Sequence, residues 1–386
     1  MDRINVDVAT EETQRLLADL AAIASQKFEN ATNMPPNLCR DPGIAHLEHE
    51  KIWKQDWVCP GLAADIPKSG DYLSYSIADE AIYCIRDDKG EIRTYSNVCR
   101  HRMMQLVEGR GNSQRIICPY HAWTYDLKGK LVVAGQMRES SVFDKTKICL
   151  PEFRTEIWNG FIYVTLNNDA ASVEQLLTPL ADQVARYEMQ NYIPVVTQDH
   201  TWNSNWKLLT ENFMEGYHLP VAHKETVGAW IGLKDTVFPD KVHESFTYQT
   251  FTKADGAAYG IAHPDNTILK NEWRNTSVMP TVFPSHMYVC APDHMWYLSL
   301  RPKGIGQINV RFGASLAPEL YCSLDNREEA IKDLIEFFDK VNDEDRQLVE
   351  GIFKGSKSEY ATPGPLSWLE REIHDFEQYL ANRLCR

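Results

Sequence analysis

The chain has 386 residues, enough for two or three domains with sizeable cores. With 43% hydrophobic, 11% aromatic and 24% charged residues it is globular in composition, which excludes disorder, collagen-like repeats and a coiled coil as descriptions of the whole. A net charge of −14 without a basic stripe excludes a nucleic-acid partner.

The opening residues, Met1-Asp2-Arg3-Ile4-Asn5, have neither the basic n-region nor the apolar h-region of an export signal, so a cytoplasmic location is expected. Apolar periodicity predicts a helix over 9–28 with an acidic first turn, followed by a break at Asn33-Met34-Pro35-Pro36-Asn37. From about 55 to 165 the texture is short β-type runs, 72–77, 81–85 and 160–164 among them, separated by turn signals such as Asp88-Lys89-Gly90. Beyond 170 helices and strands mix, with strand-like runs at 245–252, 287–300 and 307–316 and helical patterns over 326–354 and 366–384. The reading is α+β, a small all-β unit embedded in a larger mixed one. No segment approaches the ~18–20 apolar residues of a membrane span.

Nine scattered cysteines, an odd number, argue against a disulfide framework. Two of them stand close to histidines, as Cys99-Arg100-His101 and Cys118-Pro119-Tyr120-His121. Such pairs close on a metal from two sides. A Cys2His2 zinc site competes, but zinc pairs usually carry gaps of two to four residues. The one-residue gap in Cys-x-His instead fits a Rieske [2Fe–2S] centre, with two Cys on one iron and two His on the other.

A second group lies at 211–223. Glu211, Glu215 and His218 fall at i, i+4 and i+7, the spacing of one helix face. His218 and His223 diverge on an unbroken helix, so a bend at Pro220 is expected to bring them together. A two-His, one-carboxylate iron site needs one more ligand. Along 326–354 the apolar stripe Ile331, Leu334, Ile335, Phe338, Val341, Leu348, Val349 and Ile352 includes Asp345, whereas Asp333, Glu336, Asp339, Asp343 and Glu344 fall toward solvent. A carboxylate on a buried stripe is costly unless it is paired or binds a cation, which singles out Asp345, with Asp343 in reserve. The alternative is that Asp345 caps a second helix starting near Asn342.

The segment Cys99-Arg100-His101-Arg102-Met103-Met104 with Cys118-Pro119-Tyr120-His121-Ala122-Trp123 resembles the cluster loops of Rieske non-haem iron oxygenases. It departs from them at Met103 and Ala122, where smaller residues are usual. The late helix with Asp345 is similar to the one that carries that family's third iron ligand. The resemblance implies an N-terminal helical segment (1–42) packing on the catalytic domain, a Rieske [2Fe–2S] domain (43–165) and a catalytic domain (166–386). The last would be helix-grip-like, a twisted antiparallel sheet covered by helices. It implies a cluster on Cys99, His101, Cys118 and His121, and mononuclear Fe(II) on His218, His223 and Asp345. It further implies a homotrimer in which Glu215, where Asp is usual, carries electrons between one subunit's cluster and its neighbour's iron. No Gly-x-Gly-x-x-Gly opens a strand–helix unit, so a separate flavin- and ferredoxin-containing reductase is implied.

The run Glu215-Gly216-Tyr217-His218-Leu219-Pro220-Val221-Ala222-His223 looks most like oxygenases of quaternary ammonium compounds such as betaines, carnitine and choline. The expected reaction is N-demethylation or C-hydroxylation with O2 and two electrons. A cationic substrate asks for an aromatic box, with Trp230, Tyr288 and Trp296 as candidates among Trp202, Trp206, Trp273 and Tyr297. The alternatives are ring hydroxylation or O-demethylation of an aromatic acid, which calls for a pocket arginine (Arg274, Arg301 or Arg311), and a Rieske electron carrier without oxygenase activity.

Overall fold

The structure is a computed structural model that describes residues 10–230, 233–253 and 259–386, without the side chains of Ala229, Trp230 and Asp235. Two compact units emerge. One is Trp53–Glu174; the other combines the chain up to Ile52 with Gln175–Arg386.

Helix α1 (Glu11–Ala24) begins where the Thr10 hydroxyl accepts from the Thr13 N–H at 3.1 Å, with Glu11 and Glu12 at its positive end. It stops at Ala24, short of the expected residue 28. In α2 (Pro42–Glu48) the capping Asp41 carboxylate accepts from the Ile44 N–H at 2.9 Å and from the Thr13 hydroxyl at 2.8 Å, which ties the two helices together.

The smaller unit is all-β over β1 (Val58–Leu62), β2 (Asp71–Ile77), β3 (Glu80–Arg86), β4 (Ile92–Ser96), β5 (Arg110–Asn112), β6 (Ile116–Ile117), β7 (Thr124–Tyr125), β8 (Leu131–Val133), β9 (Glu152–Trp158) and β10 (Phe161–Thr165). Seven strands form an antiparallel sheet in the order β1-β10-β9-β4-β3-β2-β5, and β6-β7-β8 form a small separate sheet. The loops after β4 and β6 carry the Cys-His motifs, so the small sheet exists to present them.

After α3 (Val173–Val184) the larger unit continues through β11 (Ile193–Trp202), α4 (Trp206–Phe213), α5 (Leu219–Ala222), β12 (Thr236–Val237), β13 (Phe246–Thr252), β14 (Thr276–Val282), β15 (His286–Cys290), β16 (His294–Pro302), β17 (Ile308–Leu316), α6 (Pro318–Ser323), α7 (Arg327–Gly355) and α8 (Arg371–Leu384). Its seven strands make one antiparallel sheet, β11-β17-β16-β15-β14-β13-β12, with α4 packed on β16, α7 on β11 and α8 on β13. The apolar run at 287–300 is two strands, not one. Pro292 cannot donate to a ladder, and the chain reverses there, Ala291 N–H donating to His294 O at 3.0 Å.

Helix α7 is continuous for 29 residues, without a break at Asn342. Val341 and Val349, buried one turn on either side of Asp345, hold that carboxylate toward the sheet. Each buried valine contributes about 1.5–3 kcal/mol to keeping that face of the helix packed. The expected stripe is only partly buried, since Leu348 and Ile352 are 36% and 50% exposed.

Candidate metal centres

In the small unit Cys99 and Cys118 are buried in the core beside Tyr95, Trp123 and Tyr125, while His101 is partly buried and His121 exposed. Each loop closes on itself. Cys99 N–H donates to Met104 O at 2.8 Å, and Cys118 N–H donates to Trp123 O at 2.8 Å. Met103 and Ala122, the two departures from the family pattern, both adopt left-handed backbone, φ 58° and 54°. That conformation explains the usual preference for small residues there; a side chain costs about 1 kcal/mol.

The imidazoles of His101 and His121 face one another with centroids 4.7 Å apart, and Trp123 stacks on His101 at 4.7 Å. Burial, then the neighbouring His121 and Arg102, hold His101 below its ordinary pKa, so it offers a neutral lone pair. A single tetrahedral zinc with bonds of about 2.0–2.3 Å draws its four ligand atoms within roughly 4 Å of one another. The two cysteines and two histidines do not form such a group; among the described residues the one group of three or more ligand atoms within 4.8 Å lies elsewhere. Two buried sulfurs on one side and two imidazoles on the other fit a two-iron cluster.

The Tyr125 hydroxyl accepts from the Arg100 N–H at 3.0 Å, which leaves its proton for Cys99 Sγ at 3.3 Å. A donor to a ligand sulfur stabilises the more negative, reduced cluster. Tyr125→Phe is expected to lower the cluster midpoint potential by about 40–50 mV, the one-electron equivalent of about 1 kcal/mol, without loss of cluster. An unchanged potential in a redox titration rules out that role.

In the larger unit the close group is His218, His223 and Asp345. The chain reaches it differently from the expected single helix face. Helix α4 ends at Phe213, the chain bends through Glu215-Gly216-Tyr217, and the short α5 starts after His218. Pro220 sits in the first turn of α5, where its missing N–H costs nothing, so the break precedes it. Glu211 turns elsewhere; burial and the charge of Glu377 push its carboxyl up to about 8. The loop after α5 folds tightly, Gly228 N–H donating to His223 O at 2.9 Å, and a Cβ at Gly228 would meet the Leu219 carbonyl at 2.1 Å.

Asp345 Oδ1 lies 3.0 Å from His223 Nε2 and 3.6 Å from His218 Nε2. Each outer ring nitrogen has its own carboxylate. His218 Nδ1 donates to Glu215, which also accepts from the His218 N–H at 3.1 Å. His223 Nδ1 donates to Glu344 Oε2 at 2.8 Å, and the Thr226 hydroxyl donates to the same oxygen at 2.6 Å. Burial opposes charge on His218, yet the adjacent carboxylates of Asp345 and Glu215 hold it up at about 9. His223 is likewise raised by Asp345 and Glu344 against the effect of burial, and Asp345 is lowered by both histidines. Positive charge is favoured at the centre of the three, where both Nε2 atoms converge on Asp345 Oδ1, so the donor set fits a two-His, one-carboxylate ferrous site with a cation taking the place of the ring protons. Glu344, expected to face solvent, is the orienting partner of His223. Asp343 is 59% exposed and pairs with Arg346 at 3.0 Å, away from the group.

The three residues stand on the wall of a cavity of about 440 Å³. Phe213, Trp296 and Phe338 line it in mutual ring contact, with centroids 5.5 Å (Phe213–Trp296) and 6.3 Å (Trp296–Phe338) apart. Trp296 pairs with Val289 across β15–β16 and both face inward; Tyr288 pairs with Tyr297, so both point to the opposite face of the sheet. The expectation for Tyr288 is thereby corrected. The side chain of Trp230 lies outside the described residues. Trp206 is committed to Glu48 at 2.8 Å and Trp273 to Arg186. Arg301 and Arg311 pair with Asp199, and Arg274 donates to backbone carbonyls, so none of the three candidate arginines lines the cavity.

Residues 56–153 match the family model of the Rieske [2Fe-2S] domain. Residues 183–385, more than half the chain, match that of the ring hydroxylating alpha subunit (catalytic domain). The chain belongs to this oxygenase family. As a ring-hydroxylating alpha subunit it uses a Rieske [2Fe–2S] cluster and a mononuclear iron. It is 35% identical over 223 residues to the glycine betaine monooxygenase oxygenase subunit of Chromohalobacter salexigens, a match that covers 57% of this chain and 50% of that one. It is 28% identical over 344 residues to the carnitine monooxygenase oxygenase subunit of Escherichia coli K12, covering 86% of each chain. A crystal structure of a quaternary ammonium Rieske monooxygenase shares the fold, with a TM-score of 0.80 at 23% identity over 95% of this chain and 98% of that one. No helix among the described residues is long and apolar enough to cross a membrane.

Proposed function

We propose that this alpha subunit is the terminal oxygenase for a small quaternary ammonium compound, which it N-demethylates or hydroxylates on carbon with O2 and two electrons. The observation that carries the reading is the cavity, which joins the His218–His223–Asp345 group to an aromatic wall of Phe213, Trp296 and Phe338 and has no arginine among its described lining residues. Ring faces attract a methylated ammonium, by up to about 2 kcal/mol for a desolvated contact. The relatives named for glycine betaine and carnitine support the same substrate class.

In this reading Cys99, His101, Cys118 and His121 hold the [2Fe–2S] cluster, and His218, His223 and Asp345 hold the iron. When bound, these groups supply one-electron relay and O2 activation. Glu215 and Glu344 fix the tautomer and ring plane of the two histidines. Glu215 also forms the link to the cluster of a neighbouring subunit in a homotrimer. A separate flavin- and ferredoxin-type reductase supplies the electrons. The apolar walls turn an N-methyl group toward the metal and exclude bulk water. Hydroxylation of that group takes one oxygen atom from O2, two electrons and two protons, and releases water. The resulting N–CH2–OH breaks at its C–N bond to give a tertiary amine, formaldehyde and a proton.

The test is O2 uptake with a generic reductase across methylated ammonium compounds and aromatic acids. Substrate-dependent uptake matched by formaldehyde or by a hydroxylated ammonium product is expected; coupled uptake with aromatic acids alone refutes the reading.

A further inference from the structure

Charge in the cavity is unevenly matched. Lys253 follows β13 and lines the cavity; its ammonium donates to the Tyr259 carbonyl at 2.9 Å and forms no ion pair with any described residue. Asp293, the described carboxylate whose charge acts on it, is already engaged by His294 Nδ1 at 2.6 Å and by the Gly260 N–H at 2.9 Å. Burial lowers the lysine's pKa and Asp293 only partly offsets it. A partly buried ammonium with no carboxylate of its own among the described residues is costly, and an anionic group on a ligand relieves that cost.

Helix α7 locates the residue that holds this ammonium. The Tyr259 ring stacks on Phe337 with centroids 5.8 Å apart and planes 8° apart. Phe337 precedes Asp345 by eight positions, or about 12 Å along the helix axis. Tyr259, whose carbonyl holds the ammonium, therefore packs on α7 roughly two helical turns from Asp345.

We propose that Lys253 binds the carboxylate of a zwitterionic substrate, an ω-(trimethylammonio)carboxylate whose spacer is longer than the single carbon of glycine betaine. The assignment rests on the quaternary-ammonium reading and deepens it. It separates zwitterions from purely cationic choline and long betaines from short ones.

Calorimetric titration of the iron-loaded protein with γ-butyrobetaine, glycine betaine, choline and benzoate tests it on wild type, Lys253→Gln and Lys253→Arg. Lys253→Gln is expected to weaken γ-butyrobetaine by about 30-fold or more, the scale for truncating one partner of a desolvated charge pair. Choline should stay within about threefold, as for a charge it does not contact. Glycine betaine should lose less than γ-butyrobetaine, and Lys253→Arg should restore most of the affinity. Equal losses for γ-butyrobetaine and choline, equal losses for the two betaines, or no loss at all overturn the Lys253 assignment while the ammonium reading stands. Binding of benzoate alone overturns the ammonium reading and the Lys253 assignment with it.

Discussion

Asp345→Ala is expected to abolish the mononuclear iron and lower turnover on the order of 10³-fold or more, while the visible spectrum of the [2Fe–2S] cluster is retained. The helix survives the change, because alanine is the best helix former and Val341 and Val349 keep the neighbouring turns buried. What goes is the one carboxylate oxygen that approaches both imidazoles, 3.0 Å from His223 and 3.6 Å from His218. Two histidines alone make a neutral, two-point site, which ferrous iron leaves readily. Asp345→Asn preserves the shape and removes the charge, so it should bind iron less well than wild type and better than alanine. Iron counting beside the cluster absorbance is the measurement, and an Asp345→Ala protein that keeps its iron and its turnover removes this residue from the site.

The second large effect concerns Glu344. It accepts from His223 Nδ1 at 2.8 Å and from Thr226 at 2.6 Å, and His223 itself is only 1% exposed. Without it the buried Nδ1–H has no acceptor, the imidazole is free to rotate or change tautomer, and Nε2 no longer points at Asp345. Partners of this kind are worth about 10–100-fold in metal affinity. Glu344→Ala is expected to lose that much in a ferrous titration against a competing chelator. Glu344→Gln, which keeps an amide oxygen for the same hydrogen bond, should lose less. Wild-type affinity in Glu344→Ala means that His223 is held by the Gly228 loop alone.

Local spacing singles out the Cys-His loops, because the Cys and His of each pair sit within one turn of chain. It also singles out Asp345, whose neighbours at i−4 and i+4 are the buried Val341 and Val349 and which the fold brings beside His218 and His223. The 211–218 segment was not legible in that way. Its i, i+4, i+7 pattern imitates a helix face, but the helix ends at Phe213 and Glu211 is buried apart from the metal group, near the charges of Glu377 and Lys207. Glu344 was hidden because it lies outside the apolar stripe of α7, and only the fold of the α5 loop brings His223 against it. The inward faces of β15 and β16 depend on pairing register, Val289 with Trp296, which no run of apolar residues specifies. Lys253 carries no sequence pattern at all; its meaning comes from where β13 ends.

Two kinds of iron in one chain underlie the chemistry. Counting iron and acid-labile sulfide in protein reconstituted without oxygen is the direct measurement. The expected result is about three irons and two sulfides per chain, falling to about two irons and two sulfides in Asp345→Ala. A protein that holds no sulfide, or the same iron content in both forms, contradicts it.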